Sequence, residues 1–182
     1  MSGLPDTGKG FSDEQIQKES KRLGLSIQRE FIGCYSKDTL PTLRDNQNAV
    51  VNIQDTVDAD GKELEGTHWV ATGVQRGQTW YVDSFGLGIP LELKAKLRKP
   101  IYRPTVDIQD ANSDLCGEFA LAACLAVCSS NESVTKSIPA FLSIFQRDKL
   151  RKNDKILREY LIQHESSHQS YNRHKFDPRP RH

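Results

Sequence analysis

Apolar positions recur along this chain with different periods, and each period predicts a different element. Residues 114–128, ending Leu-Cys-Gly-Glu-Phe-Ala-Leu-Ala-Ala-Cys-Leu-Ala-Val-Cys, are apolar nearly all round. That pattern predicts a helix buried on every side, with small residues that let its neighbours approach closely. Residues 68–75 and 78–85 are instead rich in Val, Thr, Trp, Tyr and Phe, as strands are, and Arg76-Gly77 between them fits a two-residue hairpin turn. Further strands are expected at about 47–54 and 99–108. A first helix over 12–23 is capped at Ser12, with Gln15 placed to close a capping box. Residues 90–98 read as a short basic helix or only a turn. Near the end, segments 138–147 and 150–164 put Phe141, Leu142 and Phe145, then Ile156, Leu157, Tyr160 and Leu161, on one stripe. Strands followed by helices, without strict alternation or repeats, predict an α+β domain.

The ends read differently. Residues 1–10 are rich in Gly, Pro and polar residues, and the stretch 165–182 is basic with His and Pro, so both are expected to be flexible around a single domain spanning 11–164. The whole chain has 182 residues, 36% hydrophobic and 27% charged, enough to bury a real core. No segment has the length and apolarity of a signal peptide or membrane span, so export and membrane insertion are not expected. The four cysteines, Cys34, Cys116, Cys124 and Cys128, have no paired C-x-x-C spacing, so neither a disulfide framework nor a metal site is expected. Cys124 and Cys128 read as packing residues in a reducing compartment.

Cys116 stands apart, because it lies where the polar run Gln109-Asp110-Ala111-Asn112-Ser113-Asp114 becomes the apolar helix. The first N–H groups of a helix lack internal partners and carry the positive end of its dipole, which favours a thiolate. Taken alone, a free cysteine is more often a small buried hydrophobe. Two other residues change the balance. With a two-residue turn, Val70 pairs with Asp83, so His68 projects on the same sheet face as Asp83, roughly 7 Å away between Cα atoms. A three-residue turn without a bulge would put them on opposite faces.

The order His68, Asp83, Gln109, Cys116 resembles that of the adenovirus protease (adenain) family and, more distantly, the SUMO-specific proteases of the same clan. The likeness rests on His68-Trp69, on the strand ending Asp83-Ser84-Phe85-Gly86, and on Gln109 upstream of Cys116-Gly117. Papain-like enzymes have the opposite order. Weaker likeness extends to Glu30-Phe31-Ile32-Gly33-Cys34-Tyr35, to Asn48-Ala49-Val50-Val51-Asn52 and to 150–164. Asp83 replaces the glutamate of adenain and matches the SUMO proteases. No cysteine lies between Cys34 and Cys116, so the disulfide through which adenain holds an activating viral peptide does not carry over.

The resemblance implies a central mixed sheet, a buried helix carrying the nucleophile at its N-terminus, and flanking helices. It also implies a Cys116-His68-Asp83 triad. The oxyanion donors would be the Gln109 carboxamide and the Cys116 backbone N–H, with Trp69 and Gly117 beside the substrate. A maturation protease of a DNA virus or related mobile element is the implied role, cutting capsid or core precursors as a monomer inside the host cell and the virion. No cofactor is required; DNA or a viral peptide, not disulfide-linked, is the implied activator. DNA would meet Lys94, Lys96, Arg98 and Lys99, with Arg151 and Lys152, through phosphate contacts alone, although such runs are usually solvated faces. Other readings are a deubiquitinase or deSUMOylase, an effector-type acetyltransferase, and a catalytically idle virion protein that binds nucleic acid.

Overall fold

A computed structural model of the protein describes residues 10–25, 30–53 and 68–175, with side chains as far as residue 165. The described elements form a mixed α+β fold: α1 (Asp13–Arg22), β1 (Phe31–Ser36), β2 (Gln47–Asn52), β3 (Trp69–Gln75), β4 (Gln78–Val82), α2 (Leu91–Lys96), β5 (Ile101–Tyr102), α3 (Cys116–Cys128), α4 (Val134–Leu142) and α5 (Asn153–Lys175). The strands make one open five-stranded sheet in chain order. Its outer pairs, β1 with β2 and β4 with β5, are parallel, and the inner pairs are antiparallel.

Alternation along the strands divides the core in two. Val50, Trp69, Ala71, Trp80 and Val82 face a large cluster completed by α1, α3, α4 and α5. Ala49, Val51, Val70 and Tyr81 face a smaller one closed by Leu40 and by Leu93 and Leu97 at α2. Between sheet and helices lies α3, buried on nearly every side as its composition requires. Phe119, Phe145, Phe141 and Tyr160 tie the outer helices to it through ring contacts of 5.2 to 5.6 Å.

The β3–β4 hairpin has the two-residue turn expected at Arg76-Gly77. Gln75 pairs with Gln78 and Ala71 with Val82, the register that sets Val70 against Asp83. Both turn residues have positive φ, 50° at Arg76 and 77° at Gly77, the geometry that matches the twist of the strands. Asp45 and Asn46 hold the turn from outside: Gly77 N–H donates to Asp45 Oδ1 (2.7 Å) and Arg76 N–H to Asn46 Oδ1 (3.4 Å).

Several boundaries differ from the sequence expectations. Strand β1 is absent from the hydrophobic pattern because Gly33, Cys34 and Ser36 interrupt it; parallel pairing with β2 forms it nonetheless. The strand expected over 99–108 shrinks to Ile101–Tyr102, and the rest is extended chain without a ladder. Helix α4 starts earlier than expected, at Val134, and contains Pro139. Helix α5 continues to Lys175, past residue 165 where the sequence suggests a flexible tail. The expectation of flexibility over 1–10 falls, apart from Gly10, outside the described residues, as does that for 176–182. Helix α1 has the full capping box, with Ser12 N–H donating to Gln15 Oε1 (2.8 Å) and Gln15 N–H to Ser12 Oγ (3.4 Å). No helix of the described residues is long and apolar enough to cross a membrane.

Candidate active site

The chemistry-bearing residues gather where β3 begins, β4 ends and α3 starts. His68 immediately precedes β3 and Asp83 immediately follows β4, so the hairpin register delivers them side by side. His68 Nε2 lies 3.0 Å from Asp83 Oδ1, with the carboxylate side chain 1% exposed and the imidazole 13% exposed. The turn Asp83-Ser84-Phe85-Gly86 shapes this corner. Gly86 N–H donates to Asp83 O (2.9 Å), Phe85 N–H donates to Asp83 Oδ1 (2.8 Å), and the Phe85 ring lies 5.0 Å from the imidazole. Gly86 needs its positive φ of 65°, and a Cβ there would meet the carbonyl oxygen of Thr105 at 2.9 Å. Tyr81, two residues before Asp83 and therefore on its face, donates from its hydroxyl to Asp83 Oδ2 at 3.5 Å. Period-2 alternation could have named Tyr81 from sequence.

With Nε2 committed to Asp83, the nitrogen left for a thiol is Nδ1, which is buried and has no aligned hydrogen-bond partner. Burial disfavours charge on the ring, but hydrogen bonds with Asp83 and then Cys116, together with their charges, push its pKa up to about 9. Cys116 is thus among the groups that act on the imidazole, although Nδ1 has no aligned hydrogen bond. Catalytic hydrogen bonds are commonly loose before substrate binds.

Cys116 is the first residue of α3 and is 7% exposed. The expected helix-starting residues act differently from a simple cap. Leu115 occupies the N-cap position without a side-chain bond, while Ser113 Oγ accepts from Leu115 N–H (3.3 Å) and Asp110 Oδ1 accepts from Asn112 N–H (3.0 Å). An uncapped first turn leaves backbone N–H groups beside Cys116 without a side-chain acceptor, an arrangement suited to an anion. The other cysteines are kept as thiols. Burial pushes Cys34 and Cys128 up to about 12 and raises Cys124 well above the usual thiol range, with Asp13, Glu30 and Cys128 respectively adding to the rise.

Gln109 is buried near the start of α3, and its amide is fixed at both ends. Nε2 donates to Ser113 O (2.9 Å), and Oε1 accepts from Ser84 Oγ (2.5 Å). The same nitrogen has a second, longer contact with Ser113 Oγ at 3.5 Å, within the geometry of a weak hydrogen bond. The loop bearing it is stapled to α5 by fully buried Asn153, whose Nδ2 donates to Ile108 O (2.9 Å) and Gln146 O (2.7 Å). No sequence signal singles out Asn153.

Trp69 and Gly117 lie together, but inside the core. Trp69 is 1% exposed, and its indole N–H donates to Phe11 O at 2.8 Å. A Cβ on Gly117 would meet Phe11 Cβ at 3.1 Å and the Trp69 ring at 3.5 Å. Trp69, which the resemblance sets beside the substrate, is covered by the segment before α1, as a core tryptophan on a strand would be. The basic residues do not form one strip. Lys94 and Lys96 belong to α2 on one sheet face, whereas Arg151 and Lys152 precede α5 on the other. Several are tied to the protein itself, Lys96 Nζ to Asp38 O, Arg98 to Gly77 O (3.2 Å) and Arg151 to Asp110 (3.6 Å), while Lys94, Lys99 and Lys152 are exposed.

Neither a scan of protein-family models nor a search of curated proteins returns a match to this chain.

Proposed function

We propose that this protein is a cysteine endopeptidase of the adenovirus-protease type. The observation that carries the reading is the His68 Nε2 to Asp83 Oδ1 contact at 3.0 Å, which leaves a buried Nδ1 beside a cysteine at an uncapped helix start. Asp83 fixes the tautomer and supports the imidazolium charge. Cys116 Sγ, its proton held by His68, attacks the scissile carbonyl carbon and forms a C–S bond. The carbonyl oxygen becomes an oxyanion received by the Gln109 N–H that is only weakly held by Ser113 Oγ (3.5 Å) and by the first N–H groups of α3. Collapse breaks the C–N bond as His68 returns the proton to the leaving amine. Water, deprotonated by His68, then hydrolyses the thioester and restores the pair.

The resemblance in residue order supports the narrower reading of an adenain-like fold and a maturation role, with viral capsid or core precursors as substrates inside the infected cell and the virion. The test is to treat the protein with a peptidyl vinyl sulfone and map the adduct by mass spectrometry. Selective modification of Cys116, abolished in His68→Ala, is expected. Modification spread over several cysteines, or unchanged in His68→Ala, overturns the reading. Gln109→Ala should slow peptide hydrolysis by about a hundredfold while leaving Cys116 alkylation intact.

A further inference from the structure

We propose that Ser84 is a positioning residue that, together with the Ser113 carbonyl, holds the polarity of the oxyanion donor, an inference that rests on the protease reading above. Gln109 is 1% exposed, so its carboxamide must find partners within the protein. Ser113 O can only accept, so the end of the amide facing it at 2.9 Å is the nitrogen. The oxygen end then faces Ser84 Oγ at 2.5 Å, and the hydroxyl must be the donor. Ser84 also holds the backbone of the loop, its carbonyl accepting from Ile108 N–H (2.8 Å) and Gln109 N–H (3.1 Å). Ser84 itself is 4% exposed, so water does not readily replace its hydroxyl.

Its place in the chain gives this contact its meaning. Asp83 orients the base, and the next residue orients the amide that receives the oxyanion. One turn thereby sets both halves of the machinery relative to each other. Without the Ser84 hydroxyl, Gln109 Oε1 is left buried without a partner, and only the Ser113 carbonyl still opposes rotation of the amide. A rotated amide presents lone pairs where the developing negative charge needs a donor, so the loss should fall on acyl transfer and spare thiol reactivity.

The full-length chain can be assayed with p-nitrophenyl acetate, whose attack by Cys116 passes through an oxyanion, and with iodoacetamide, whose attack does not. Ser84→Ala is expected to slow acylation roughly 10- to 100-fold while iodoacetamide alkylation stays within about twofold. Ser84→Thr should retain acylation, whereas its isostere Ser84→Val should not; this pair supplies the same contrast should the alanine variant fail to fold. In a Gln109→Ala background, Ser84→Ala should add nothing. The inference alone is overturned if hydroxyl-free variants acylate at the wild-type rate, if alkylation falls in parallel, or if the two substitutions multiply. Loss of the His68 dependence of wild-type alkylation would sink the protease reading and this inference together.

Discussion

His68 presents Nε2 to Asp83 at 3.0 Å and keeps Nδ1 for the thiol side. This polarity follows from where the two residues sit. A histidine just before one strand and an aspartate just after its hairpin partner meet at the end of the β3–β4 ladder, while the His68 carbonyl accepts from Ile53 N–H (3.1 Å) on the β2 side. The buried carboxylate also accepts from Phe85 N–H, so its orientation does not depend on the imidazole.

The pH dependence of this pair has a definite sign. The ring pKa, about 9 in the folded protein, lies above its ordinary 6.5, so the interaction stabilises fully below about 6.5 and is lost as pH rises through 9. The melting temperature of wild-type protein should exceed that of Asp83→Ala by most at pH 6, and the gap should narrow by pH 9.5. In parallel, Cys116 should still react with iodoacetamide at pH 6 in wild type, yet slow at least tenfold there in His68→Ala. A gap that is constant with pH would contradict the ionic coupling.

Trp69→Phe separates core from substrate wall. Removing the indole N–H leaves Phe11 O without its donor and should cost about 1–2 kcal/mol of stability, read by chemical denaturation. Peptide hydrolysis per folded molecule should stay within about threefold. A large rise in KM at unchanged stability would instead place Trp69 against substrate.

Glu118, two residues beyond Cys116, is 3% exposed, and its Oε2 has no hydrogen-bond partner. Burial pushes its carboxyl up to about 8, opposed by its own backbone N–H and further raised by Asp114. Ionisation is thus harder in the folded chain than in the unfolded one. Stability is expected to fall as pH rises from about 4.5 to 8. Glu118→Gln should remove that fall and raise the melting temperature by several degrees at pH 8, with little effect at pH 4.5. Parallel pH profiles for the two proteins would show that the carboxyl does not carry the effect.

Arg76 occupies a left-handed conformation that a branched or long side chain adopts at a cost. Arg76→Asn should stabilise the protein by about 0.5–1 kcal/mol, measured by urea unfolding, because asparagine tolerates this φ. Destabilisation would mean that the Arg76 side chain makes a contribution larger than the relief of backbone strain.

Legibility from sequence tracked how local the determining physics is. The hairpin register followed from one two-residue turn, and α3 from an unbroken apolar run, so the meeting of His68 with Asp83 and the placing of Cys116 at a helix start could be read from the sequence. Strand β1 could not, because Gly33 and Ser36 carry no strand preference and only the neighbouring β2 holds them extended. Phe11 against Trp69 and Asn153 against Ile108 were equally hidden. Both are side-chain-to-backbone bonds between distant segments, which no periodicity records. The α5 boundary was misplaced because polar residues after 165 look like a tail, although helical backbone continues to Lys175.

Helix α3 is wedged between the sheet and three other helices, so the sulfur at its head is bolted to the stiffest part of the molecule. In the proposed protease, any throttle must therefore act on what comes to meet that sulfur.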